Sequence, residues 1–200
     1  MTASVQQSWD RIQAWLREKA PRSAARVMPP ADPAEIGYTE RMFGRELPEE
    51  LRSLWLCVDG TGEDTELIPP FYRLLSVQEA RTEWASEPWF GDQDCCRADG
   101  THRSAAGERI LGFCRALFPI GRDYGGDYLV VDQREGAMRG CVARFHHDDG
   151  VRPPDWGGVG AMLAYIAEVL KSPPCRMDGA DLRPAETENG VFGWLGSEDD

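Results

Sequence analysis

Apolar residues recur every three or four positions at Val5, Trp9, Ile12 and Leu16, and Pro21 closes the run, so the pattern predicts an amphipathic helix over residues 4–19. Trp15 widens its apolar face. A proline-broken loop through Met28, Pro29 and Pro30 leads to Asp32-Pro33-Ala34-Glu35, where a capping aspartate, a proline in the first turn and a glutamate three residues after the cap mark a second helix start. Ile36 and Phe43 are its inward anchors and Gly44 its stop. The stretch from Gly44 to Gly60 reads as a complete further helix. Pro48 suits the first helical position, where its missing N–H would have no partner, and Glu49 and Glu50 place negative charge at the positive end of the helix dipole. Leu51, Leu54, Trp55 and Val58 form a wide apolar stripe, and Gly60 offers the left-handed stop. This helix is expected at the centre of the core.

Residues 61–66 carry three acidic side chains and a glycine, the composition of an exposed loop. Phe71, Tyr72, Leu74 and Leu75 make a short β-prone segment, and Ser76 with Glu79 forms a capping box for a helix over residues 77–84. Residues 87–112, with glycines at 91, 100, 107 and 112 and mostly polar neighbours, read as a long irregular insertion. The second half changes character. Apolar runs at 117–120, 127–132 and 140–145, separated by Gly, Asp and Arg clusters, predict successive antiparallel strands, with Pro119 at an edge or bulge. Val159, Met162, Leu163, Ile166, Val169 and Leu170 mark a closing helix that Ser172-Pro173-Pro174 ends. Residues 175–200 form a C-terminal extension in which 191–195 either adds a short strand or docks on the body, and the last residues, 197–200, are expected to be disordered.

Composition narrows the function classes. Two hundred residues, 42% of them hydrophobic, suit one substantial core. The net charge of -12, from 34 acidic against 22 basic residues, repels the phosphate backbone that a nucleic-acid binder must neutralise. The same charge either draws in a basic protein or only keeps the surface solvated. The N-terminus lacks the basic start and apolar run of a signal peptide, and no stretch reaches the length of a membrane span, so no membrane contact and a cytoplasmic location are expected. Six cysteines at 57, 95, 96, 114, 141 and 175 show no C-x-x-C spacing and read as reduced thiols.

The order of these signals resembles the SMI1/KNR4 domain of the SUKH superfamily. The resemblance begins with the Trp9 helix and is strongest at Gly44, Leu47-Pro48, Leu51, Leu54 and Asp59-Gly60. Its second anchor is Phe118-Pro119-Ile120-Gly121 followed by Gly126-Asp127-Tyr128-Leu129-Val130-Val131-Asp132 and Gly140-Cys141-Val142. It implies an α+β fold, a single SMI1/KNR4-like domain over residues 1–174 in which helices pack against one antiparallel sheet. It also implies a bacterial immunity protein that binds and silences a toxin, or else a regulatory scaffold of the kind found in fungal cell-wall control. No universal catalytic residues come with it. The insertion at 87–112 and the extension at 175–200 are this chain's departures from a compact member.

The candidate chemistry is correspondingly sparse. His146-His147-Asp148-Asp149 contains metal-ligand types, but neighbours on a strand point to opposite faces, and Asp148-Asp149-Gly150 is a good polar turn. Cys141 with a histidine would make a thiol and base pair, against which stands its place in a β-prone run as a small buried hydrophobe. Gly157-Gly158-Val159-Gly160 opens a helix but lacks the remaining features of a phosphate loop, and Cys95-Cys96 has no second ligand pair at familiar spacing. Neither cofactor nor metal is therefore expected, and an enzyme using a Cys/His or carboxylate site ranks last. Glu63, Asp64 and Glu66 after the central helix, and Asp123, Tyr124 and Asp127 in a Gly-rich turn between strands, combine charge with exposure. They are the candidate partner-binding residues, the partner being a protein such as a basic toxin domain.

Overall fold

In the computed structural model, which describes residues 3–86, 95–97, 101–177, 179–186 and 190–196, the periodicities of the first half become helices. Ser4 caps α1 (Val5–Lys19) through reciprocal hydrogen bonds with Gln7, and Val5, Trp9, Ile12 and Leu16 turn inward. Pro21 starts a one-turn helix, α2 (Pro21–Ala24), directly after a break at Ala20. Asp32 caps α3 (Pro33–Phe43) by accepting from Ala34 N, while Glu35 pairs with Arg81 instead of reaching back to the cap. Gly44 ends α3 in the left-handed conformation, at φ 75°.

The central helix, α4 (Glu49–Trp55), is shorter than the sequence predicts, with Pro48 as its cap and not its first residue. Gly60 is not its stop. Beyond Trp55 the chain is drawn out by the preceding loop: Ala31 N donates to Trp55 O, Asp59 N to Pro29 O and Met28 N to Gly60 O. Gly60 is needed for a close approach, since a Cβ there would lie 2.7 Å from Ser76 N, on a backbone with φ +92°. Beside it, Asp59 Oδ1 accepts from Val77 N at 2.7 Å. Asp59-Gly60 thus latches the end of α4 to the start of α5 (Val77–Ser86), whose own cap is the reciprocal Ser76–Glu79 pair.

Five strands run as an antiparallel meander: β1 (Arg73–Leu74), β2 (Leu117–Arg122), β3 (Tyr128–Asp132), β4 (Val142–His146) and β5 (Gly150–Val151). Pro119 sits at a register shift between β2 and β3, where its missing N–H breaks no regular ladder. Every residue of β3 is buried, so both faces of the sheet are covered. Phe118, Ile120, Leu129, Val131 and Val142 meet Leu51, Leu54 and Trp55 of α4, and Met162, Leu163 and Ile166 of α6 (Val159–Lys171). Leu117, Val130, Ala143 and Phe145 point the other way, into a second cluster with Cys95, Ile110, Phe113 and Cys114. The fold is α+β, but helices cover only one face. The described part of the 87–112 insertion is a cover for the other; residues 87–94 and 98–100, like 197–200, lie outside the described residues.

A buried ion pair fastens this cover. Asp132 and Arg134 are both inaccessible, with Arg134 Nη2 2.7 Å from Asp132 Oδ2. Arg134 Nη2 also donates to Glu108 O, and Gly107 N donates to Asp132 Oδ2, so the pair satisfies backbone groups of a segment that has no strand partner for them. The Gly-rich start of α6 is filled in the same manner. Glu50 Oε2 accepts from Gly160 N at 2.9 Å, and a Cβ at Gly158 or Gly160 would lie 2.7 or 2.6 Å from that carboxylate.

The extension is more ordered than the sequence predicts. In place of one short strand it forms a three-stranded sheet, β6 (Cys175–Met177), β7 (Ala180–Glu186) and β8 (Phe192–Gly196). It docks on the first two helices: Phe192 N donates to Ser23 Oγ, and the Phe192 ring stands edge-on to Trp15 with centroids 5.6 Å apart.

Truncating one member of the buried pair, as in Asp132→Ala, should cost about 3–5 kcal/mol in urea unfolding because it strands the guanidinium. Asp132→Leu combined with Arg134→Met removes the stranded charge but leaves Gly107 N and Glu108 O without these partners, so it should recover only part of that loss. A double variant no more stable than the single one would show that charge is not what matters at this position.

Candidate functional site

The loop after α4 is exposed at Glu63 and Asp64 yet firmly held beneath. Thr61 and Thr65 are buried: Thr61 Oγ1 donates to Thr65 O and accepts from Leu74 N, and Thr65 N donates to Gly62 O. The turn between β2 and β3 is closed by Asp123, whose Oδ1 accepts from Asp127 N while its own N–H donates to Asp127 O. One bond joins the two loops. Tyr124 Oη donates to Glu63 O at 2.7 Å, although 72% of the tyrosine remains exposed.

Between them lies a cleft of about 240 Å³, walled by Glu63, Glu66, Asp123 and Tyr124, with Phe71, Arg73 and Arg122 completing it. Arg73 and Arg122 are paired across β1 and β2, and α5 neutralises both from behind, through Glu79 at 2.9 Å and Glu83 at 2.7 Å. Among the described residues no ion pair engages Glu63, Glu66 or Asp123. Burial, and then the Asp123 charge, raise the Glu66 carboxyl above its ordinary value. The cleft is therefore negative at its rim and aromatic at two exposed points, Phe71 and Tyr124. Small-molecule pockets typically span about 300–1,000 Å³, so this volume suits a side chain of a larger partner better than a whole substrate.

Of the six residues predicted for partner binding, four thus meet in one place. Asp64 turns to the adjoining groove, where it is ion-paired with Arg26 and faces residues 191–193 of the extension. Asp127 leaves the cleft altogether. Its two oxygens take His146 Nδ1 and His147 Nδ1, each at 2.7 Å. Both histidines reach one carboxylate because β4 ends at His146 and His147 begins the turn, which stops the strand alternation. Cys141 is fully buried, and burial first, then Asp132, push its thiol up to about 11, the opposite of an activated nucleophile. Phe71, Arg73 and Arg122 were not predicted; their signal is not local, since it is strand pairing that brings them together.

A family model described as SMI1 / KNR4 family (SUKH-1) matches residues 30–164. The match takes in the whole cleft and the meander, and leaves out α1 and the three-stranded sheet. None of the curated proteins matches the chain. No helix among the described residues is long and apolar enough to cross a membrane.

The Asp127 clamp has a pH signature. The hydrogen bond to Asp127, followed by the Asp148 and Asp127 charges, raises His147. Hydrogen bonds from His147 and the His146 charge lower Asp127, although burial opposes them. The His147 contribution to stability is complete below its unfolded value, about 6.5, and is lost as pH rises through the folded value; the Asp127 contribution is complete above about 3.9 and lost as pH falls through the folded value. In an NMR titration His147 should accordingly show a midpoint above about 6.5 that Asp127→Asn brings down. A midpoint unmoved by that substitution would remove the clamp.

Proposed function

The chain belongs to the SMI1/KNR4 family (SUKH-1), and from that premise we propose that it is a protein-binding module and not an enzyme: an immunity protein that binds and neutralises a basic toxin domain. The observation that carries the proposal is the cleft, in which Glu63, Glu66 and Asp123 stand, among the described residues, without ion-pair partners around an exposed tyrosine. Unpaired carboxylates speed the encounter with a basic surface and penalise acidic competitors. Tyr124 adds a large amphipathic ring, and its hydroxyl bond to Glu63 O lowers the entropy lost when a partner immobilises it.

Asp64 and residues 191–193 continue the same surface, the latter beyond the family-matched region, so the extension is assigned a part in choosing among partners. Asp127 is assigned to positioning the turn and not to contact. The proposed place of action is the cytoplasm, whose reducing conditions suit six free cysteines.

Co-expression with toxic products of adjacent reading frames tests the role. The wild-type chain should restore growth, and the variant Glu63→Gln/Glu66→Gln/Asp123→Asn should associate with the captured toxin at least about tenfold more slowly at low salt, with a flatter salt dependence. Protection against no toxic neighbour would sink the immunity role, and a captured partner without toxicity would make the chain a regulatory scaffold. An unchanged rate and salt slope would sink the acidic cleft.

A further inference from the structure

A vicinal pair of thiols and a third, distant in sequence, meet on the side of the sheet that the insertion covers. Cys95 and Cys96 lie in the described stretch 95–97, and Cys114 lies in the segment that leads into β2. Their three sulfurs all fall within 4.8 Å of one another, and Cys96 Sγ is 3.6 Å from Cys114 Sγ. From the sequence the vicinal pair has no further ligand at familiar spacing. The fold supplies one from 18 residues further on.

The spacing favours a shared cation over a sulfur–sulfur bond. Tetrahedral ligation at a metal–sulfur distance of about 2.3 Å sets sulfurs about 3.8 Å apart, close to the Cys96–Cys114 separation, whereas a disulfide needs about 2.05 Å. Cys95 and Cys114 are buried and Cys96 is half-buried, so two ligands are shielded and the third lies on the way in.

A second observation points to negative charge at this place. Arg134 is inaccessible and interacts electrostatically with both Cys95 and Cys114. Its Nε and Nη2 are engaged by Asp132 and Glu108 O, but its Nη1 is buried with no hydrogen-bond partner among the described residues. A buried donor left in that state is costly, and a thiolate shell around a metal is an acceptor of the right charge.

We propose that Cys95, Cys96 and Cys114 form a binding site for a thiophilic divalent cation, Zn2+ being the best suited, which ties the cover to the sheet. On binding, the thiols release their protons to solvent, three sulfur–zinc bonds form, and water completes the fourth position. The three thiolates and the dication together carry one negative charge, opposite in sign to the Arg134 guanidinium that acts on Cys95 and Cys114.

The test uses the reduced, metal-stripped full chain titrated with Co2+ and then Zn2+. One Co2+ per chain should bind with the sulfur-to-cobalt charge-transfer absorption that thiolate ligands give, and Zn2+ should displace it. Loss even of a group supporting a metal ligand costs about 10–100-fold, so Cys96→Ser should weaken Co2+ binding at least about tenfold. Cys57→Ser, which alters a cysteine elsewhere, should leave it unchanged. Zn2+ should also slow amide exchange across residues 101–116 in the wild type and not in folded Cys96→Ser. Folded wild-type protein that takes up neither ion would overturn the proposal. So would Co2+ absorption of equal strength and affinity in Cys96→Ser, or a Cys96–Cys114 disulfide whose reduction yields no metal uptake.

Discussion

Burial of both faces of β2, β3 and β4 is the demand that the rest of the molecule answers. A pleated strand sends neighbouring residues to opposite sides, so runs such as Tyr128-Leu129-Val130-Val131 have to be covered twice. The helices meet half of that demand with a regular apolar surface built around Leu51, Leu54 and Trp55. The other half falls to the segment before β2, which has little secondary structure of its own. Its backbone N–H and C=O groups must then find partners that a helix would have provided internally. This explains why a fully buried Asp132–Arg134 pair occurs in an otherwise apolar layer: its side chains take the place of a ladder.

The cleft forms where that layering runs out. β1 is only two residues long and pairs with β2 just at Gly121 and Arg122, so beyond that pair the cleft is walled by loop residues. A Cβ on Gly121 would lie 3.1 Å from Arg73 O, so glycine lets β1 approach β2 at the register that sets Arg73 opposite Arg122. Two like charges opposite one another are unfavourable, and α5 relieves this with Glu79 and Glu83, one helical turn apart. A rigid helix thereby fixes the floor of a site whose walls are loops, which is the usual division of labour at binding surfaces.

Much of this was legible in the chain. The 3.6-residue period locates α1, α3 and α6, and the capping residues Asp32 and Ser76 mark the true starts of α3 and α5. The apolar runs located β2 to β4 and, being continuous, already carried the signature of two-sided burial. That signature went unread because the covering residues, Ile110, Phe113 and Cys114, are scattered among glycines without a period. Pro184 and the polar faces of β7 hid the C-terminal sheet in the same way. At the cleft, acidity and exposure single out four residues that the fold brings to one place, whereas the position of Asp127 depends on where β4 stops, which no local pattern reveals. Gly60 misled for a related reason: a glycine at a helix end and a glycine at a close approach look alike until the neighbouring chain is in place.

The carboxylate of Glu50 at the start of α6 bears on what this scaffold can become. A helix N-terminus preceded by glycines is a ready anion receptor, and here the receptor is occupied by a ligand from the same chain. Tethered so closely, Glu50 acts at an effective concentration in the millimolar range or above, which free phosphate or a nucleotide would have to outcompete. The start of α6 is thus closed by a carboxylate of the same chain, whereas at the cleft Glu63, Glu66 and Asp123 have no ion-pair partner among the described residues.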